Sequence, residues 1–148
     1  IITSFGMIET AVGEISIYWN EHIKHSSCRL RRGTLRTDGF VSAHADYSGG
    51  QLITHPFLFE GKNLLINYST SAFGSIQVEV QNEKGDPIKG FELEDCPTIY
   101  GDEIQHMVSW KTNPNLRSLS GRPIRLRFSL IDADLYSIQF SEKPGKKP

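Results

Sequence analysis

The chain has 148 residues, enough for one domain that buries on the order of two-thirds of its unfolded surface. With 16 basic and 17 acidic side chains the net charge is −1, so no global positive field exists to hold a polyanionic nucleic acid. The longest apolar runs, such as Leu64-Leu65-Ile66, are a few residues long and none reads as a membrane-spanning helix.

The chain opens Ile1-Ile2-Thr3 with neither an initiator Met nor a charged-then-apolar signal pattern, as a fragment or processed product would. Residues 1–12 read as a segment entering from a preceding domain. Glu14 to Trp19 alternates polar with apolar and predicts a half-buried strand. From Trp19 to Arg29 the apolar residues keep no 3.6 spacing. His22, His25 and Cys28 recur there every third residue, a spacing that on a helix would suit zinc, but no second ligand pair follows and a solvated loop is expected. Arg29, Arg31, Arg32 and Arg36 alternate as a solvated strand face does.

Further strands are predicted at Phe40 to Ala45, Gln51 to Phe59, Asn63 to Ser69, Ser75 to Gln81, Met107 to Trp110, Arg125 to Leu130 and Leu135 to Phe140. Turn chemistry separates them at Asp38-Gly39, Ser48-Gly49-Gly50, Glu60-Gly61-Lys62, Tyr100-Gly101-Asp102 and Ser120-Gly121-Arg122-Pro123. Lys84-Gly85-Asp86 is a hairpin tip, and Asn115 to Leu119 could form one short helical turn. Residues 141–148, polar and rich in Lys and Pro, read as a tail or linker. Many short strands in one domain, with Glu, Gln, Ser, Lys and Arg facing outward, predict an all-β fold: an antiparallel two-sheet β-sandwich, jelly-roll-like, spanning 13–140 with wet outer faces and a dry interior.

The chemistry-bearing residues are sparse. Glu94-Asp95 cannot form a glycosidase pair alone, since neighbours on a strand point to opposite faces. No Gly-x-Ser-x-Gly elbow or phosphate loop is present. Glu14, Asp132 and Asp134 would bring carboxylate oxygens together for a structural calcium ion if the first and last strands lay side by side. Asn67-Tyr68-Ser69 is a glycosylation sequon inside a predicted strand. Cys28 and Cys96 are too few for a disulfide scaffold and read as two small core hydrophobes, or as one bridge in an exported protein.

The aromatics offer more. A sugar has an apolar C–H face and a polar rim, so its site pairs a flat ring with hydrogen-bonding groups. Tyr47 with Asp46 and His44, and Tyr100 with Asp102, have that character, whereas Trp110 closes an apolar strand and is expected in the core.

Three stretches carry a resemblance. They are Leu30-Arg31-Arg32-Gly33-Thr34-Leu35-Arg36-Thr37-Asp38-Gly39-Phe40-Val41-Ser42, then Gly101-Asp102-Glu103-Ile104 followed by Ser109-Trp110, and Gly121-Arg122-Pro123-Ile124-Arg125-Leu126-Arg127-Phe128 leading to Asp132-Ala133-Asp134-Leu135-Tyr136-Ser137. In this order they resemble the C-terminal β-sandwich region of bacterial proteins similar to glycoside hydrolase family 32, in which a β-propeller precedes the sandwich. The opening Gly6 to Tyr18 resembles the segment leaving the propeller, and the likeness covers roughly Gly6 to Phe140. The family's catalytic carboxylates lie in propeller motifs that do not occur here, so no catalytic residue carries over. The resemblance implies a non-catalytic accessory module, covalently linked to a catalytic domain and placed outside the cell or in the periplasm through its parent. Its partner would be a polysaccharide or oligosaccharide. The competing expectation is a structural module that packs against the propeller or mediates dimerisation without binding sugar.

Overall fold

The computed structural model describes residues 2–3, 6–143 and 145. Ile1, Ser4 and Phe5 of the expected entering segment, and Pro144 and 146–148 of the expected tail, lie outside the described residues. The architecture is all-β, with two antiparallel sheets, consistent with the expected sandwich class. Contacts divide the chain into two compact units, 1–41 and 42–147, so the expected boundary at 12/13 lies inside the first.

The first unit is a sheet of β1 (Ile2–Thr3), β2 (Ile8–Ala11), β3 (Glu14–Glu21) and β4 (Arg29–Arg36). β3 is central, with β1 and β2 on one side and β4 on the other. Strict alternation sorts its side chains. On one face Arg32 donates to Ser16 Oγ and to Glu14, at 2.8 Å each. On the other, Glu21 accepts from Arg29 at 3.0 Å and Arg31 at 3.1 Å, and the Trp19 indole N–H also reaches it at 3.2 Å. These donors, Arg29 foremost, hold the Glu21 carboxyl down to about 2. Trp19 lies over Gly33, where an added Cβ would meet the ring at 2.8 Å. Ser16 is the one buried residue among those whose side chains are described in this unit.

The second unit is built on two long strands. β7 (Asn63–Gln81) merges the two strands expected at 63–69 and 75–81, and β9 (Arg125–Ser141) merges those expected at 125–130 and 135–140. They pair antiparallel over nearly their whole length. β5 (Ala43–Ala45) and β6 (Gly50–Ile53) add to the outer edge of β9, and β8 (Asp102–Val108) to that of β7. The register of the ribbon shifts twice, between Asn67 and Tyr68, where Tyr136 of β9 is the extra residue, and between Thr70 and Ser75. Thr70 pairs with Ala133 and Ser75 with Ile131, so residues 71–74 bulge against the single Asp132. Asp132 takes φ 44°, and the inward parity of β9 switches there, from Leu126, Phe128 and Leu130 to Ala133 and Leu135. Gly74 is required on steric grounds, because a Cβ would stand 2.3 Å from the Asp132 carbonyl oxygen.

The buried faces of both halves of the ribbon belong to one core. Leu64, Ile66, Tyr68, Ile76, Val78 and Val80 of β7 join the β9 set, and the connecting segments contribute Phe59, Phe91, Trp110, Leu116 and Ile124. Trp110 is buried as expected; its indole N–H donates to the Val78 carbonyl at 2.8 Å and its ring meets Phe91 edge-on at 5.2 Å. The expected wet outer face fails at both ends of β7: Asn63, Leu65 and Asn67 are buried at one, Glu79 and Gln81 at the other. Glu79 and Gln81 are buried, because the short 3-10 turn Leu93–Asp95 packs over that part of β7. Gln77 donates to the carbonyls of Leu93 and Cys96 at 3.1 Å, while Glu79 accepts from Gln81, the Leu93 amide and Arg127. Gln77, Glu79 and Gln81 thereby gain partners.

Both cysteines are free. Cys96 is buried, as a small core hydrophobe, with its thiol pushed up by burial; Cys28 is exposed, so the expectation that both sit in a core is corrected. The sequon Asn67 is buried at 1% exposure and cannot take a glycan in the folded chain.

Replacing Trp110 by Ala removes a full aromatic and strands the Val78 carbonyl. A loss of about 3–5 kcal/mol is expected in urea unfolding of the chain. Gly74→Ala, adding one methyl against backbone, is expected to cost about 1–3 kcal/mol in the same measurement, although an exposed Gly→Ala would normally be neutral or stabilising.

Candidate aromatic and polar site at the bulge of the long ribbon

The strand register collects the expected residues of the second unit. His44 pairs with Asp134, Asp134 with Ser69 and Ser69 with Asp102, forming one row across β5, β9, β7 and β8. The neighbouring inner row, Ala43, Leu135 and Tyr68, faces the core, so the polar row lies on the opposite, solvent-facing side. Three strand spacings separate His44 from Asp102, about 14 Å. The Asp134 carboxylate accepts from Ser42 Oγ at 2.6 Å and contacts His44 Nδ1 at 3.0 Å. Ser69 Oγ and the Tyr136 hydroxyl share a 3.3 Å hydrogen bond.

One step along, the row Ala45, Ala133 and Thr70 continues to Gly101. The Thr70 amide donates to the Gly101 carbonyl at 2.8 Å, and the Gly101 amide to Thr70 Oγ1 at 3.0 Å. Gly101 has φ 113°, a value that suits glycine. Immediately beyond this row stand Tyr47, Phe73 and Tyr100, on three different segments and 77%, 86% and 73% exposed. Two of these rings were expected from the sequence. Phe73 was not selected, because it sits between two predicted strands; the Ser-Ala-Phe-Gly break in the alternation of 63–81 is the signal that marks it.

Tyr100 also borders an open groove of about 460 Å³ along β8, lined by Pro97, Ile99, Glu103, His106, Met107 and Ser109. His106 Nδ1 lies 2.9 Å from Glu103 Oε1, and its ring meets Tyr68 edge-on at 5.5 Å. The Tyr68 hydroxyl donates to the Tyr100 carbonyl at 2.9 Å. Burial first, then the nearby Glu103 charge, pushes this phenol up to about 12. Sequence reading missed Glu103 and His106, since their proximity to Tyr100 depends on how β8 docks.

Other expected residues have different partners. Asp46 accepts the Ser48 amide at 3.0 Å and its hydroxyl at 2.5 Å, which shapes the turn between β5 and β6 and lowers the Asp46 carboxyl below its usual value. Its backbone carbonyl also accepts the Asp132 amide at 2.9 Å, tying that turn to the bulge. The calcium expectation required adjacent first and last strands. Instead Glu14 lies in the sheet of the first unit, bonded to Arg32, while Asp132 and Asp134 lie in the second. Among the described residues no group of three or more His, Cys, Asp or Glu is placed to hold a metal. His22, His25 and Cys28 lie in a turn rather than on a helix, and His22 Nδ1 contacts Ser27 at 3.0 Å. The carboxyl pair near Glu94 is Glu92 with Asp95; their shared hydrogen bond lowers Glu92 and raises Asp95.

Compared with known families, with characterised proteins and with solved structures, the chain shows no match. This part of the sheet offers ring faces for stacking, with carboxylates, hydroxyls and imidazoles for hydrogen bonds.

The high Tyr68 value fixes an alkaline limit. An unfolded chain releases this proton near pH 10, whereas the fold retains it to about 12. Its contribution to stability is therefore complete below pH 10 and lost as pH rises to about 12. In urea titrations at fixed pH, stability is expected to fall over that window, and Tyr68→Phe is expected to flatten the fall while starting from a slightly lower stability, by about 1 kcal/mol.

Proposed function

We propose that this chain is a non-catalytic accessory module of a carbohydrate-active protein, and that its second unit binds a polysaccharide or oligosaccharide. One observation supports the reading most: three exposed aromatic side chains lie on separate segments tied to the bulge in the middle of one sheet, beside a polar row that includes His44 and Asp102. Tyr47, Phe73 and Tyr100 would stack on pyranose faces. His44 and Asp102 would bond the hydroxyl rim. About 14 Å of sheet offers room for several consecutive rings, as a chain ligand needs. Sites this open bind weakly, in the micromolar to millimolar range, ~4–8 kcal/mol. The sequence likeness to the sandwich of glycoside hydrolase family 32-like proteins points the same way, as does an extracellular or periplasmic setting for the parent.

The second reading, a docking role, is favoured for the first unit by a different observation. Ile15, Ile17, Trp19 and Leu35 share one half-buried face of its sheet, and the hydrophobic core consists entirely of residues from the second unit. Such a face suits packing against a covalently linked catalytic domain.

Titration of the chain with soluble oligosaccharides, and pull-down on insoluble polysaccharides, tests the first reading. Tyr47→Ala, Phe73→Ala and Tyr100→Ala are each expected to weaken binding about 5- to 100-fold, ~1–3 kcal/mol, without moving the unfolding midpoint, since all three rings are exposed. Failure of the chain to bind any glycan would remove the reading; full binding by all three variants would remove the site.

A further inference from the structure

β8 is an edge. It pairs with β7 on one side, and among the described residues no strand pairs with the other. An open edge is a template for a further strand, and folded chains cover, charge or shorten it. The segment after β9 reaches this edge. Ser141 ends β9 opposite Asn63, and Gly145 stands against the main chain of Gln105, in the middle of β8. A Cβ on Gly145 would collide with the Gln105 carbonyl, so this contact needs the space a glycine leaves. β7 lies between β9 and β8. Two strand spacings are about 10 Å, and four residues of extended chain reach about 14 Å. The chain from Ser141 to Gly145 therefore crosses β7 directly. Leu64 and Ile66 fill the inner side with core, which leaves the outer face. That face bears a mark of cover. Leu65 is 4% exposed, although its cross-strand neighbours Met107 and Gln139 are both exposed. A side chain flanked by exposed neighbours is buried by chain passing over it, and the 141–145 crossing passes there.

We propose that residues 141–145 are a strap that holds the β8 edge closed, and that its release lets a second copy of this chain pair with β8. The strap meets β8 at Gln105, the centre of the seven-residue strand, where an added strand has to lie. Charge along the sequence favours that seat. The segment 142–147 carries Lys143, Lys146 and Lys147 against the single Glu142, whereas β8 opens with Asp102-Glu103 and has no Lys or Arg. With the strap lifted, β8 suits its own copy. An antiparallel pair centred on Gln105 sets Asp102 opposite Val108, Glu103 opposite Met107 and Ile104 opposite His106, so no like charges face each other. Such a pair uses the same surface on both copies and closes as a dimer.

Gly145→Val in the full chain tests this, because it places a side chain where the Gln105 carbonyl stands and lies outside the hydrophobic core. Two measurements read the result. Hydrogen exchange in dilute solution follows the amides of 102–108, and sedimentation velocity over a wide range of concentration follows the mass. The original chain is expected to sediment as a monomer throughout. The Val variant is expected to exchange about tenfold faster across 102–108 and to form a dimer as concentration rises. Adding Gln105→Lys to it is expected to keep the fast exchange and restore the monomer, since the pair centre then sets Lys against Lys. Gln105 is exposed, so the unfolding midpoint should stay in place. Unchanged exchange in the Val variant would overturn the strap. Faster exchange with a monomer at every concentration, or a dimer that Gln105→Lys leaves intact, would overturn pairing through β8. An original chain that dimerises as strongly as the variant would overturn the closure.

Discussion

The antiparallel register between β7 and β9 is the constraint on which the second unit depends. It pairs 63–70 with 133–141 and 75–81 with 125–131, and so fixes which side chains of both strands face inward. β5, β6 and β8 have places only because this ribbon presents two long edges. The bulge at 71–74 opposite Asp132 is part of the same constraint. It lets two runs of opposite parity in β9 face one core, and it pushes Phe73 out of the ladder to 86% exposure. Gly74 tolerates the close backbone, and Asp132 supplies the left-handed residue. The device that keeps the core continuous also exposes an aromatic ring at the site.

The two units are held by different physics. The second has a buried cluster in which Trp110, Phe91 and Phe128 contribute the largest apolar surfaces, and its covered polar residues are bonded in a small network around Glu79 and Gln77. The first unit is held by its ladder, by Trp19 laid over Gly33 and by exposed ion pairs of Glu21 and Glu14. Surface pairs of that kind contribute little each and weaken with salt. Its apolar stripe of Ile15, Ile17, Trp19 and Leu35 is the natural place for further burial.

Much of the architecture was legible in the alternation. Glu14 to Trp19, Ser75 to Gln81 and Arg125 to Leu130 read as strands because period two has no competing explanation there, and each lies in one. Less legible were the strands at Ile8–Ala11 and Arg29–Arg36, which bury almost nothing and so carry little hydrophobic signal. The covering of Glu79 and Gln81 was invisible for a related reason. Alternation says which face a residue shares, and says nothing about a loop that later lies over that face. At the site, Tyr47, His44, Tyr100 and Asp102 could be picked out singly as aromatic and polar residues near turns. Glu103 and His106 could not, because only the docking of β8 sets them beside Tyr100.

By itself the sequence determined an all-β chain of many short alternating runs, a core position for Trp110, and a near-neutral charge with no nucleic-acid field. Those properties are local or additive, so they survive in one dimension. Only the tertiary structure decided that four predicted strands are two, that His44, Asp134, Ser69 and Asp102 form one row, and that Tyr47, Phe73 and Tyr100 lie on three segments tied to one bulge. These are matters of register between segments up to about ninety residues apart, as in the His44–Asp134 contact. Register is set by the summed packing of a whole strand and by the bulges that shift it, and no single stretch of sequence contains that sum.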